Sequence, residues 1–267
     1  MKKNKDLSII LPSFNDARIG RAISSIRNFD DEHLVKIIVV DGGSKKNVLN
    51  LIKKSLTADD VLLSEPDKGI FDALNKGLDL TTTKYIGWIG SDDLFTGRIK
   101  ASDVIAALKK NELFIAKLAM FRDGRITRMT SAFPSKLRLT NLGFHNPHFA
   151  TFGRSSLLKS RRFDLELKAA DIEYFLRLFE LHPSIEVTNK ISTIQSEGGF
   201  STRSIQQILK LNYECISIYS KKSGLVLGIF ASFLKLAAKI PSRTLYYLWN
   251  KKAQNLIVKN KGLSIKI

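Results

Sequence analysis

Up to about residue 90 the chain alternates short aliphatic and β-branched runs with stretches whose apolar positions recur at helical spacing. Residues 7–11, 35–40, 61–63 and 84–89 read as strands, and 16–28, 45–56 and 69–80 as the helices between them. Strands that are apolar almost throughout are buried on both sides, so the pattern predicts an α/β fold with a mostly parallel sheet flanked by helices. Further along the pattern is mixed. Residues 113–121 and 126–133 predict paired strands around Arg122-Asp123-Gly124, 155–160 and 170–181 predict helices, and 185–187 and 191–195 two more strands. His182-Pro183 closes the second of these helices, because the residue before a proline is pushed out of the helical region.

From 204 to about 259 the chain turns helical and basic. The apolar run 224–234 is cut by Lys235 and Lys239 well short of the ~20 residues a spanning helix needs. On a helical wheel Leu225, Ile229, Phe233, Leu236 and Ile240 fall on one side and Lys221, Lys235 and Lys239 opposite, with Tyr246, Tyr247, Trp249, Lys251 and Lys252 following. Such a helix suits the headgroup layer of a membrane, and it equally suits packing on its own domain. Between residues 201 and 267 twelve Lys/Arg stand against Glu214 alone, a balance of +11 within a total of +18. An excess of this kind fits nucleic acid, anionic lipid, an anionic substrate or a solvated face.

At 267 residues and 44% hydrophobic side chains, the chain can bury a full core as one large domain or one domain with an appendage. The single cysteine, Cys215, excludes an internal disulfide framework and fits a reducing compartment. The charged start Met1-Lys2-Lys3-Asn4-Lys5-Asp6 has no apolar h-region behind it, so no secretory signal is expected.

Four polar clusters follow the ends of the predicted strands. They are Pro12-Ser13-Phe14-Asn15, Asp41-Gly42-Gly43-Ser44, the run 64–69 leading into the helix that carries Asp72, Asn75 and Lys76, and Ser91-Asp92-Asp93. The carboxyl ends of parallel strands converge on a crevice, where small residues let backbone N–H groups approach a ligand. Asp92 and Asp93 carry the sharpest signal: adjacent carboxylates repel and resist burial without a counter-charge, which predicts a cation between them and something anionic. Plainer readings stand beside these: helix caps for Asp92-Asp93 and for Asp41-Ser44, and a solvated face for Asp72, Asn75 and Lys76.

Taken together, I-L-P-S-F-N at 10–15, V-V-D-G-G-S at 39–44, S-E-P-D-K-G-I-F-D-A-L-N-K-G at 64–77 and G-S-D-D at 90–93 resemble the family 2 glycosyltransferases of bacterial surface-polysaccharide type, with their GT-A nucleotide-sugar fold. Asn146-Pro147-His148-Phe149 is similar to the family's proline-histidine acceptor-side segment, Ala169-Ala170-Asp171-Ile172-Glu173 to the stretch bearing its base, and Glu197-Gly198-Gly199-Phe200-Ser201 to a closing glycine-serine segment. The resemblance covers about residues 7–202. It implies a GT-A domain over 1–202, with a nucleotide half to about 95 and an acceptor half from 96, and leaves 203–267 as a basic helical extension.

By this resemblance Asp93 holds a divalent metal, Mn²⁺ or Mg²⁺, against the donor diphosphate, and Asp92 contacts the ribose or assists the metal. Asp41 reads the nucleobase, with Pro12, Phe14, Asn15 and Ser44 in the same pocket, while Asp67, Gly69, Asp72, Asn75 and Lys76 complete the nucleotide and sugar side. Asp171 is the general base of an inverting, non-processive hexosyl transfer; Glu173 is the alternative, and His148 a metal ligand or acceptor contact. The chain departs from the family in having Ala170 where many members place an acid, Phe149 where a polar residue often follows the histidine, and no literal D-x-D. No Q-x-x-R-W string of processive synthases occurs, and no glycine-rich phosphate loop of sugar nucleotidylyltransferases follows Leu11. The expected partners are a nucleotide sugar, UDP-linked above all, and a saccharide or lipid-linked oligosaccharide acceptor of O-antigen, capsule or exopolysaccharide. The enzyme is then expected in the cytoplasm, docked on the inner face of the membrane through residues 221–252, with no nucleic acid bound. The alternatives are a noncatalytic protein of the same fold and a basic protein that binds nucleic acid or membrane.

Overall fold

The computed structural model describes residues 5–122, 125–130, 147–196, 205–226 and 228–233. Its first half follows the predicted alternation: β1 (Leu7–Ser13), α1 (Ile19–Phe29), β2 (Val35–Asp41), α2 (Lys46–Ser55), β3 (Val61–Ser64), α3 (Ile70–Leu80) and β4 (Tyr85–Trp88). Then come β5 (Leu94–Phe95), α4 (Ala101–Lys110), β6 (Leu113–Arg122), β7 (Arg125–Thr130), β8 (Thr151–Arg154), α5 (Ser155–Leu158), α6 (Ala170–Phe179), β9 (Ile185–Ser196) and α7 (Ile205–Ser223). All nine strands form one sheet in the order β3-β2-β1-β4-β8-β6-β9-β5, with β7 paired to β6 beside that path. The strands β3, β2, β1 and β4 are parallel neighbours, and antiparallel β8 joins them to the mixed second half.

Alternation along β1 divides the core between the two faces of the sheet. Leu7, Ile9 and Leu11 point to the side packed with Ile23 and Ile26 of α1 and Val104 and Leu108 of α4. Ile10 points to the other side, with Leu74 and Leu78 of α3, Trp88, and Tyr174 and Phe175 of α6. Helix α3 lies so close to β1 that a Cβ on Gly77 would stand 2.3 Å from Ile10 Cγ2.

Two expectations change. The strands read at 185–187 and 191–195 are one strand, β9, in which Thr188, Asn189 and Lys190 lie between Val187 and Ile191 while β6 advances only from Ile115 to Lys117. A β-bulge of this kind breaks the alternation and mimics a gap between strands. The helical wheel drawn through residues 221–240 is interrupted at Gly224, where α7 ends and whose φ of +84° is left-handed. Residues 225–226 and 228–233 are again helical, and Gly228 packs so tightly on α7 that a Cβ there would stand 2.1 Å from Ser220 Oγ. Among the described residues no helix is long and apolar enough to cross a membrane. The Asp123-Gly124 turn, Asn146, the 197–201 segment and the aromatic and basic residues after 233 lie outside the described residues.

Candidate active site

Because β3, β2, β1 and β4 run parallel, their carboxyl ends share one rim. Register places Ser13, Asp41 and Ser64 side by side there, and Ile10 beside Trp88. The chain moves from β1 outward through β2 and β3 and returns to β4 on the far side of β1, so the loops after β1 and β4 part at a topological switch point.

On the β2 side, fully buried Asp41 accepts hydrogen bonds from Ser44 N–H at 2.9 Å, Ser64 Oγ at 2.8 Å and the Ser44 hydroxyl. Its carboxylate thus organises the loop and presents Ser44, whose Oγ accepts from Asn15 N–H at 2.7 Å. Asn15, at a φ of +51°, takes Lys45 N–H on its Oδ1 at 2.8 Å. Pro12 is buried in β1, Phe14 is 63% exposed beside it, and the buried Ser13 hydroxyl has no partner.

On the other side of the switch point the loop after β1 meets the carboxylate pair. Asp16 accepts two side-chain bonds from Arg18, at 2.9 and 2.8 Å, and one from Ser91 Oγ at 3.1 Å, while Arg18 Nη2 lies 3.5 Å from Asp92. Partial burial works against the Asp16 carboxylate, but these bonds and the Arg18 charge hold it below the usual range. Asp92 is raised by burial despite Arg18. Asp93, 1% exposed, is raised to about 7 by burial and by the charge of Asp92. Its hydrogen-bond partners are neutral: Ser196 N–H at 3.2 Å and the Gln195 amide at 3.4 Å. Asp16, Arg18, Gln195 and Ser196 escaped the sequence reading. Gln195 and Ser196 come from the end of β9, about a hundred residues away, and no local signal marks them.

The third cluster leads into α3. Gly69 N–H donates to Asp67 Oδ1 at 2.9 Å, and Asp67 stands so near Gly42 that a Cβ there would lie 2.6 Å from its Oδ2. Lys76 bridges Glu65 at 2.8 Å and Asp72 at 3.4 Å, and Asp72 also accepts Lys68 N–H at 3.0 Å. Asn75 faces elsewhere: its amide donates to Phe163 O at 2.9 Å and accepts Phe163 N–H at 3.0 Å, tying α3 to the segment before α6.

Helix α6 packs against the end of β4. Trp88, at the end of β4, packs on Tyr174 and Phe175 of α6 and on the His148 ring, 4.9 Å away. His148 also stacks on Phe149, its Nε2 is buried without a partner, and burial pushes its pKa down to about 3. Burial keeps this imidazole neutral, and no cluster of three metal-ligating side chains forms among the described residues. Glu173 accepts from Nε and Nη2 of Arg177 four residues on. Asp171 is half-buried in the first turn of α6, whose N-cap is Ala169, so Asp171 itself is not the cap.

The family model of glycosyl transferase family 2 matches residues 8–161, more than half of the chain and every strand-end cluster described above. The chain belongs to this family. An uncharacterized glycosyltransferase of Mycobacterium tuberculosis is 31% identical to the family 2 chain over 179 residues, 64% of this chain and 68% of that one. A PGL/p-HBAD biosynthesis glycosyltransferase of Mycobacterium bovis is 32% identical over 90 residues, and the match spans only 35% of that relative. Among solved structures, S. aureus TarS (1-349) in complex with UDP superposes with a TM-score of 0.61 at 18% identity, covering 86% of this chain and 70% of that chain. A second S. aureus TarS structure is matched over 39% of that chain. The mannosyltransferase PcManGT from Pyrobaculum calidifontis, in complex with GDP-Man and Mn2+, gives 0.56 at 15% identity over 97% of this chain and 82% of that one. These likenesses make the fold GT-A.

Proposed function

We propose that this chain transfers one sugar, with inversion, from a nucleotide donor to a saccharide acceptor. The observation that carries the reading is Asp93: a buried carboxylate, neutral at its hydrogen-bonding edge, beside a second carboxylate at the switch point of the sheet. That donor set fits Mg²⁺ or Mn²⁺, which take one or two protein carboxylates and complete their shell with phosphate oxygens and water. Such an ion, held by Asp93 and Asp92, would neutralise the charge developing on the departing diphosphate.

The chain's own residues divide the remaining work. Phe14, Asn15 and Ser44 line the end of the crevice suited to a nucleobase, with Asp41 fixing Ser44 from beneath. Asp67, Gly69, Asp72 and Lys76 close the side toward the sugar. Asp171 takes the proton of the acceptor hydroxyl as that oxygen attacks the anomeric carbon from the face opposite the leaving group. Glu173 is the weaker candidate because Arg177 occupies both its oxygens. A UDP-linked hexose and a lipid-linked oligosaccharide of a surface polysaccharide are the substrates that suit this reading, with a single addition per encounter and the enzyme docked at the inner face of the membrane. The division into a GT-A domain over 1–202 and a basic extension over 203–267 belongs to the same proposal.

The test is a thermal-shift and hydrolysis screen of UDP-, GDP- and dTDP-sugars with and without Mn²⁺ or Mg²⁺. A metal-dependent rise in melting temperature with one nucleotide class is expected. No shift with any nucleotide sugar at millimolar concentration would sink the proposal.

A further inference from the structure

The extension holds a single acidic residue between 201 and 267, Glu214, and the structure gives that carboxylate a specific place. It stands on α7, outside the residues matched by the family model. Its Oε2 accepts the backbone N–H groups of Lys168 at 2.8 Å and Ala169 at 3.1 Å, the two residues directly ahead of α6. Helix α6 begins at an N-cap, Ala169, that has no side-chain oxygen to offer its own first turn. A helix start lacking such a partner leaves N–H donors open and carries partial positive charge, and a carboxylate answers both needs.

The same contact is backed by packing. Cys215, Ile218 and Tyr219 of α7 form one buried cluster with Ala169, Ile172 and Leu176, of which Ala169 and Ile172 bracket Asp171 in sequence. Tyr219 is fully buried with its hydroxyl unpartnered, and burial and the charges of Cys215 and Asp171 push its phenol up.

We propose that Glu214 is a positioning residue for Asp171: from the C-terminal helix it caps the start of α6 and fixes where the base stands. The inference rests on Asp171 being the base. It does not make Glu214 a catalytic residue, because the carboxylate bonds only to backbone two and three residues before Asp171. It makes α7 a working part of the acceptor side, so the minimal transferase extends beyond the segment that carries the family motifs.

Hydrogen–deuterium exchange on the full chain reads the cap without any substrate. In Glu214→Ala the amides of Lys168 and Ala169 should exchange about five- to thirtyfold faster, with those of β1 and β2 unchanged. Glu214→Gln keeps an acceptor oxygen and should restore most of the protection, which also guards against a variant that merely unfolds. The second arm measures turnover of the nucleotide sugar found in the screen. Glu214→Ala should lower kcat about tenfold or more with the donor KM unchanged, and Glu214→Gln should recover it in part. Unchanged exchange at 168 and 169 in the alanine variant would overturn the proposal. So would faster exchange with wild-type kcat. Absence of any nucleotide-sugar turnover by the wild type counts against the transferase reading, and the exchange arm still decides the cap.

Discussion

Asp93 has a folded-state pKa of about 7, set by burial and by the charge of Asp92. An unfolded aspartate titrates near 3.9, so between about pH 4 and 7 the metal-free folded state holds a proton that the unfolded state has lost. Stability therefore falls as pH rises through that window, by an amount on the order of 2–4 kcal/mol. Asp93→Asn should remove the slope. With chelator present, the variant is expected to match the wild type near pH 4 and exceed it above pH 7 in denaturant melts. Mn²⁺ should stabilise only the wild type, and equal slopes from pH 5 to 8 would contradict the assignment. Asp171→Asn is expected to lower kcat about 10²–10⁴-fold while donor-induced thermal shifts persist, because it removes proton acceptance and leaves the crevice intact. The carboxylate pair was legible in the sequence because adjacency itself is costly to bury. Arg18 and Asp16 were not, since only the meeting of two loops makes them neighbours of that pair.

Helix α3 shows the limit of reading roles from a motif. Asp72, Asn75 and Lys76 share a helix face by spacing, yet they do different things. Lys76 pairs with Asp72 and Glu65, whereas Asn75 gives its whole amide to the Phe163 backbone. Asn75→Ala should therefore cost about 1–3 kcal/mol of stability through two unpaired backbone groups. A melt with unchanged midpoint and a raised donor KM would instead return Asn75 to the donor site. The strands and helices of the first half were legible because short continuous β-branched runs differ clearly from longer stretches with apolar residues at period 3.6. The bulge in β9 was not, because three polar residues that bow out of a strand look the same in sequence as a turn.

At the scale of the whole chain, an acidic crevice is followed by residues 201–267, whose sequence is basic. Leu225, Val226, Ile229, Phe230 and Phe233 are exposed, and the second helix meets α7 through Gly228, with Ala231 and Ser232 buried. If this surface enters a headgroup layer, Ile229→Asp with Phe233→Asp should reduce co-sedimentation with anionic vesicles at least severalfold, and wild-type binding should weaken with salt. Binding equal to wild type in the double variant would reject that surface. The sequence by itself determined the α/β class and the four strand-end clusters, because hydrophobic pattern and carboxylate adjacency are local properties. Only the tertiary structure decided that Gln195 and Ser196 close over Asp93, that Asn75 is a tie, and that Glu214 sits at the head of α6. Those contacts join residues far apart along the chain, and no local pattern encodes a hydrogen bond whose partner is chosen by how the sheet and helices pack.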